Sequence, residues 1–327
     1  MAMRLAVIGC GLIGKKRAAE IAKDSAAKLV YAVDVDEKNT KPLQDQYGCK
    51  TSLDWEPIVC SKEIDAVIVS TPNYLAKTIA IAALKAGKDL LIEKPFGKNF
   101  SESEAILKAV RESPRFLVVK TGFNHRYHPA LAQAKKLIEE QTLGQIFSLR
   151  ARYGHGGRPG MEKEWRASKD LCGGGELLDQ GIHIIDLVRW FGGDWKEVYG
   201  TLSTQFWPMD VEDNAYVLGK TVKEIQVLFH VSWTQWKNLF SFEIFGSKGS
   251  IHIQGLGGNY GPETLELSLR KSQGGKPDVT TFVYPDEDVS WHLEWQDFKE
   301  AILHRKAPSG SEEDGWKASR VIDAIEK

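Results

Sequence analysis

Asp179 and His183 lie four residues apart in the run CGGGELLDQGIHIIDLVRWFGG, residues 172–193. A carboxylate beside an imidazole is a pairing suited to acid–base chemistry, since histidine is the side chain whose ordinary pKa falls near neutrality. Between the glycines at 173–175 and those at 192–193, Leu177, Leu178, Ile182, Ile185, Leu187 and Trp190 recur at helical spacing. The pattern predicts a helix that stops on a glycine signal. At i and i+4 the two polar residues then share one face, about 5–6 Å apart, and Asp186 extends the stripe. Gly181 between them costs about 1 kcal/mol of helix propensity, which suggests a close approach to the backbone there. An ordinary solvated helix face would read the same way from these residues alone, so the elements around them decide.

The N-terminal third supplies those elements. Residues 4–8 form a short apolar strand that runs into Gly9-Cys10-Gly11-Leu12-Ile13-Gly14. A GxGxxG carries weight here because it closes a strand and opens a helical pattern, and because a second strand ends at Asp34, at the spacing of a dinucleotide-binding fold. Gly9 permits the tight turn, Gly11 lets backbone amides approach a pyrophosphate, and Gly14 allows close helix–strand packing. The helix start at Leu12 and Ile13 adds amide donors and a positive dipole end. Asp34 suits the adenosine ribose hydroxyls and repels a 2′-phosphate, which favours NAD over NADP. Lys15, Lys16 and Arg17 could meet such a phosphate, but read more simply as a solvated helix face.

Strand and helix signals then alternate: a helix over 52–64, a strand over 65–71, an alanine-rich helix to Gly87, and a strand over 89–95. A helix over 101–113 has a capping-box signature in Ser101 and Glu104, and a strand over 116–122 closes the series. Apolar strands alternating with helices predict a parallel sheet covered on both faces, with ligands bound beyond the carboxyl ends of the strands. The glycine loop, Ser70-Thr71-Pro72-Asn73 and Glu93-Lys94-Pro95 all fall at such ends, which makes Ser70, Thr71, Pro72, Asn73, Glu93 and Lys94 candidates for contacting the cofactor.

Composition excludes several classes. A chain of 327 residues with 42% apolar and 27% charged side chains is globular, long enough for two domains, and a net charge of −1 offers no footprint for nucleic acid or an anionic membrane. Cys10, Cys49, Cys60 and Cys172 form no CxxC pair and read as reduced thiols. The N-terminus leads straight into a strand and no apolar run could span a bilayer, so a cytoplasmic location is expected.

On the glycine loop, Ser70-Thr71-Pro72-Asn73, Glu93-Lys94-Pro95, Gly122-Phe123-Asn124 with Arg126, and GGGELLDQGIHIIDL, the chain resembles the Gfo/Idh/MocA family (glucose–fructose oxidoreductase, inositol dehydrogenase, rhizopine catabolism). The resemblance spans nearly the whole length. It implies that Lys94, Asp179 and His183 work together as the catalytic set, and that the Lys94–Pro95 bond is cis. It places Asn124, Trp165 and Arg166 near the cofactor. One departure is Ala76, where the family often has a histidine three residues after the asparagine.

The second half reads differently. After a helix over about 128–144, eight alternating strand signals separated by turns predict a large, mainly antiparallel sheet. The fold expected is therefore an α/β Rossmann-type parallel-sheet domain (1–121) plus an α+β domain with an open antiparallel sheet (122–312). The resemblance implies that the open sheet face is a subunit contact in a homodimer or homotetramer, and that a last helix within 313–327 packs back on the first domain. Phe229, Trp233, Trp236, Phe240 and Phe242 are read as half-buried sheet aromatics there. The glycine-rich stretch 153–170 offers Tyr153, His155, Arg158 and Arg166 as candidates for substrate hydroxyls or an anionic group, and Arg126 joins them on the resemblance.

The expectation is an NAD-dependent oxidoreductase, with NADP also admissible, acting on a sugar, cyclic polyol or sugar derivative. His183 would accept the hydroxyl proton, Asp179 orient it or bind a neighbouring hydroxyl, and Lys94 stabilise the alkoxide. The opposite assignment, Lys94 as base with His183 orienting, stays open. No residue set calls for a metal. Two other readings are an NAD-using glycosidase of the same fold and a non-catalytic cofactor sensor.

Overall fold

The apolar runs of the N-terminal third become six strands in a computed structural model of the chain, which describes residues 2–285 and 287–327. In order these are β1 (Met3–Ile8), α1 (Leu12–Lys23), β2 (Ala27–Val33), α2 (Glu37–Tyr47), β3 (Lys50–Ser52) and α3 (Glu56–Val59). Then come β4 (Ala66–Val69), α4 (Asn73–Lys85), β5 (Asp89–Glu93), α5 (Phe100–Arg111) and β6 (Val119–Gly122). The strands pair in parallel in the order β3-β2-β1-β4-β5-β6. This is the dinucleotide-binding order, with its switch point between β1 and β4. Alternate residues face two cores: Ile8, Val67 and Val69 meet Ile79, Ala83 and Ile106, while Val7 and Ile68 meet Ile21, Trp295 and Phe298.

Sequence periodicity missed parts of this layer. The helix expected over 52–64 is only α3, because Ser52 and Asp54 close a side-chain turn and Asp54 accepts from the Glu56 amide. The cap of α5 is Asn99, whose side chain accepts from the Glu102 amide, and not Ser101. α2 carries Pro42 and buries only Thr40 and Leu43, so it has no apolar stripe to read.

Further along lie α6 (Pro129–Glu139), β7 (Ile146–Gly154), α7 (Lys169–Cys172), a π-helical turn (Leu177–Gly181), α8 (Ile182–Gly192), β8 (Trp195–Ser203), β9 (Asn214–Thr221) and β10 (Gln226–Ser232). β11 (Leu239–Gly246), β12 (Gly249–Gln254), β13 (Thr264–Leu269), β14 (Asp278–Val283), α9 (Ser290–His304) and α10 (Glu312–Glu326) complete the chain. The eight strands order as β14-β13-β12-β11-β7-β10-β9-β8, antiparallel except for β7 with β10. α6 stops five residues short of the expected 144, at a turn in which Gln141 takes a positive φ of 58°.

Two units result, one holding the chain up to Phe123 with Asp170–Gly173 and Trp291–Ser319, the other Asn124–Lys169, Gly174–Ser290 and Arg320–Lys327. In the second, Leu149, Val227, Ile244 and Ile251 line the buried face of the sheet. Phe229, Trp233, Phe240 and Phe242 are also fully buried, and only Trp236 of the five expected half-buried aromatics is exposed. The period-2 alternation sets this, because strand neighbours such as Leu228 and Tyr216 take the outer positions. Among the described residues no helix is long and apolar enough to cross a membrane.

Candidate active site

In the first unit the three glycines of the loop have separate reasons to be there. Gly9 takes φ +88°, and a Cβ on it would lie 2.6 Å from the Ser70 carbonyl carbon. A Cβ on Gly14 would come within 1.9 Å of the Gly9 oxygen, the close packing that the motif requires. A Cβ on Gly11 would meet nothing within 4 Å. The space beside Gly11 fronts the start of α1, which has neither a side-chain cap nor an acidic residue in its first turn. The amides at Leu12 and Ile13 are thus suited to an anion. Beside the loop, the Thr71 hydroxyl is buried with no hydrogen-bond partner among the described residues. An open cradle at an uncapped helix start and an orphaned buried hydroxyl fit a dinucleotide.

The flanking candidates brace this rim. Asp34 accepts from the Cys10 amide at 2.8 Å and from the Asp36 amide at 2.9 Å, so it holds the glycine loop from below. Ser70 donates to the Gly9 carbonyl at 2.7 Å. Asn73, following Pro72 at the start of α4, donates to the Cys172 carbonyl at 2.7 Å. Ala76 packs in the apolar core. Glu93 ends β5, and the following Lys94–Pro95 bond is cis. Arg17, expected on a solvated face, is buried against Glu93 and Glu294. The expectation failed because only its neighbours' charge was legible, not the two carboxylates that meet it.

In the second unit the run that carries Asp179 and His183 does not begin as a regular α-helix. Leu177–Gly181 is a π turn, and α8 starts at Ile182. The regular α-helical spacing expected across these residues is thus interrupted, since π hydrogen bonding widens the turn to i→i+5, although positions i and i+4 are still about one turn apart. Glu212 shapes the entry: its carboxylate accepts from the Gly175 amide at 3.0 Å and the Leu177 amide at 3.1 Å. Burial pushes its pKa above the ordinary glutamate value despite those donors. A Cβ on Gly175 would strike the Glu212 carbonyl at 1.9 Å. At Gly181 the close approach is by side chains, Leu177 at 3.0 Å and Val231 at 3.3 Å from a Cβ.

His183 is buried, and His125 stacks on it with ring centroids 3.8 Å apart. The Tyr153 ring lies 5.3 Å from His125. Tyr153 is buried and hydrogen-bonded to Tyr260, which accepts from the Gln180 amide group at 2.9 Å. Burial first, then the Tyr260 hydroxyl and the charges of Glu176 and Asp179, hold Tyr153 far above the ordinary tyrosine range. Burial likewise pushes Tyr260 to about 12. Both phenols therefore stay protonated near neutral pH.

Arg126 is buried and makes two hydrogen bonds to Asp186, at 2.7 and 2.5 Å. Asp186, which extends the polar stripe in the sequence, is thus buried against Arg126 and not solvated. Asn124 donates to Ser290 at 2.9 Å, and His128 pairs with Glu263 at 3.0 Å. His155 accepts from the Gly157 amide at 2.9 Å. Arg158 pairs with Glu164 at 2.6 Å, and Arg166 lies over the Trp165 ring at 4.4 Å. Sequence reasoning missed His125 and Tyr260. Only the position of His125 between Asn124 and Arg126 could have signalled it. Among the described residues no three His, Cys, Asp or Glu side chains gather as a metal site would require.

Residues 3–121 match the oxidoreductase family with the NAD-binding Rossmann fold, and residues 131–252 match the GFO/IDH/MocA C-terminal domain. Levoglucosan dehydrogenase of Pseudarthrobacter phenanthrenivorans is 29% identical over 86% of this chain and 82% of that protein. Inositol 2-dehydrogenase of Rhizobium meliloti is 25% identical over 99% of this chain and 96% of its own length. A solved levoglucosan dehydrogenase in complex with NADH and levoglucosan has a TM-score of 0.89 at 25% identity, covering 99% of this chain and 96% of that one. Matched by both domains in turn, the chain belongs to the GFO/IDH/MocA family of NAD-binding oxidoreductases.

Proposed function

We propose that the chain transfers a hydride between nicotinamide and a secondary alcohol or ketone of a sugar, cyclic polyol or sugar derivative, with NAD preferred to NADP. The observation that carries this reading is His183, a buried imidazole fixed by a stacked ring and standing just after the π turn that bears Asp179. Relatives named for levoglucosan and inositol support a polyhydroxylated substrate.

NAD, when bound, supplies the hydride acceptor. Gly9, Gly11 and the amides of Leu12 and Ile13 would hold its pyrophosphate and Asp34 its adenosine ribose, with Gly14 keeping the helix close. Ser70, Thr71, Pro72 and Asn73 would line the rim, and Asn124, Trp165 and Arg166 are the further candidates. An imidazole nitrogen of His183 takes the proton of the substrate hydroxyl, which needs a neutral ring. Asp179 orients that imidazole or accepts from a neighbouring hydroxyl. The Lys94 ammonium stabilises the developing alkoxide. Arg126 acts by holding Asp186, while Tyr153 and His155 are the substrate-side candidates.

The test is a panel of sugars and cyclic polyols followed by formation of reduced nicotinamide, with NAD and with NADP. The reading expects turnover with at least one of them and a preference for NAD. Retained cofactor with no net reduction across the panel would contradict it and favour the glycosidase chemistry. We also infer a homo-oligomer, since Tyr199, Tyr216, Leu218 and Leu228 form an exposed apolar patch on the outer sheet face, and a cytoplasmic location, in line with the free cysteines Cys10, Cys49, Cys60 and Cys172.

A further inference from the structure

The basic residues that open α1 do not share one environment. Lys16 is exposed, whereas Arg17 is 2% exposed. The Nε and Nη2 atoms of Arg17 meet Glu93 Oε1 at 2.7 and 2.6 Å, and Nη2 meets Glu294 Oε2 at 2.6 Å. The Trp291 ring lies against the guanidinium at 4.6 Å. Glu294, fully buried on α9, also faces Lys120 of β6 at 3.8 Å, and Lys120 pairs with Asp297 at 3.1 Å. A Cβ on Gly122 would lie 2.5 Å from Glu93 Oε2, so the adjacent strand is cleared for this carboxylate.

A buried ion pair is weak evidence for stability, because desolvation offsets much of the attraction. Placement carries the inference instead. Glu93 is the last residue of β5 and directly precedes Lys94, while Arg17 lies three residues after Gly14. One guanidinium thus links the helix that opens on the glycine loop to the backbone that carries Lys94. Arginine suits the task because its planar fork fixes two carboxylates at once, which an ammonium on a flexible stem does not.

We propose that Arg17 is a positioning residue for Lys94, acting through the Glu93 carboxylate with Glu294 as its buried anchor. This rests on the role given to Lys94 above. It assigns Glu93 to Arg17 and not, as its place in the motif first suggested, to the cofactor.

The experiment compares wild type, Arg17→Lys, Glu93→Gln, Lys94→Met and the double variant Glu93→Gln/Lys94→Met, all of which keep side chains of similar size. Three quantities are read: single-turnover hydride transfer, NAD affinity, and the rate at which an amine-acylating reagent labels Lys94 without cofactor. Glu93→Gln should slow transfer by about 10-fold or more in the wild-type background, given the sensitivity of catalysis to small displacements. In the Lys94→Met background it should add less than about 2-fold, as expected of residues acting as one unit. NAD affinity should stay within about 3-fold, a change of under 1 kcal/mol. Lys94 labelling should change in Arg17→Lys and Glu93→Gln while other lysines label as before.

Equal losses from Glu93→Gln in both backgrounds, or none in the wild type, would overturn the proposal. If Lys94→Met itself transferred normally, the role given to Lys94 would fail instead. Labelling would then decide the placement, and unchanged Lys94 labelling in both variants would overturn it.

Discussion

His125 and His183 lie face to face, with ring centroids 3.8 Å apart and planes 23° apart. His125 is also contacted by Asn124, through Nδ1 at 3.2 Å, by His128 edge-on and by the tilted ring of Tyr153. A flat partner at this distance fixes the plane of His183 and fills the space into which the ring could rotate. His125→Ala should lower kcat by about 10-fold, since catalytic geometry tolerates little displacement. His125→Phe keeps a flat ring and should lose much less. Equal losses in the two variants at unchanged NAD affinity would show that the stacking does not matter.

On the role proposed for Asp34, cofactor choice is coupled to loop geometry, because its carboxylate accepts from Cys10 within the glycine loop. Asp34→Ser removes both that support and the charge that repels a 2′-phosphate. It should weaken NAD by about 10-fold and narrow its advantage over NADP. Measured dissociation constants for both nucleotides check this, and a preference left intact would show that Asp34 does not set it.

Glu212 links pH to stability. Its pKa is raised above the ordinary 4.5, chiefly by burial. The folded state then binds this proton more tightly than the unfolded chain. The stabilisation is fully present below pH 4.5 and is lost as the pH rises through the raised value, by at most about 1.4 kcal/mol per pH unit. Glu212→Gln removes the titration and keeps an acceptor for Gly175. The stability of wild type relative to the variant should therefore fall from pH 4.5 upwards, read from urea unfolding. Parallel pH profiles would contradict the burial argument.

The outer sheet face gives a prediction about assembly. Leu218 and Leu228 sit opposite each other on β9 and β10, and Tyr199 on β8 pairs with Leu218. Leu218→Glu with Leu228→Glu should convert a homo-oligomer to monomers in light scattering. A wild-type protein that is already monomeric at every concentration would remove this reading.

How far the sequence led can be traced through particular residues. Strands β1, β4 and β5 were legible because fully buried parallel strands read as short apolar runs bounded by turn residues. The glycine loop was legible because its spacing closes a strand and opens a helix, and Gly9 and Gly14 each answer a distinct steric demand. Arg17 was not, since its partners Glu93 and Glu294 lie 76 and 277 positions away. The π turn was hidden, and the carboxylate that accepts from the Leu177 amide at its start, Glu212, comes from a distant loop. His125 was hidden for the same kind of reason. The ring stacked on it comes from α8, and that contact exists only after folding. α9 did offer a stripe in Trp295, Phe298, Ala301 and Ile302, which periodicity should have found.

Proton and hydride chemistry at His183, Asp179 and Lys94 is the central proposal. The most direct measurement is single-turnover hydride transfer beside NAD affinity for His183→Ala, Asp179→Asn and Lys94→Met. Transfer should fall by about 10²–10⁴-fold in each, with NAD affinity nearly intact. The three losses should not multiply when combined. Near-normal transfer in all three variants would make the run from Gly175 to Gly192 a structural element and contradict the catalytic assignment.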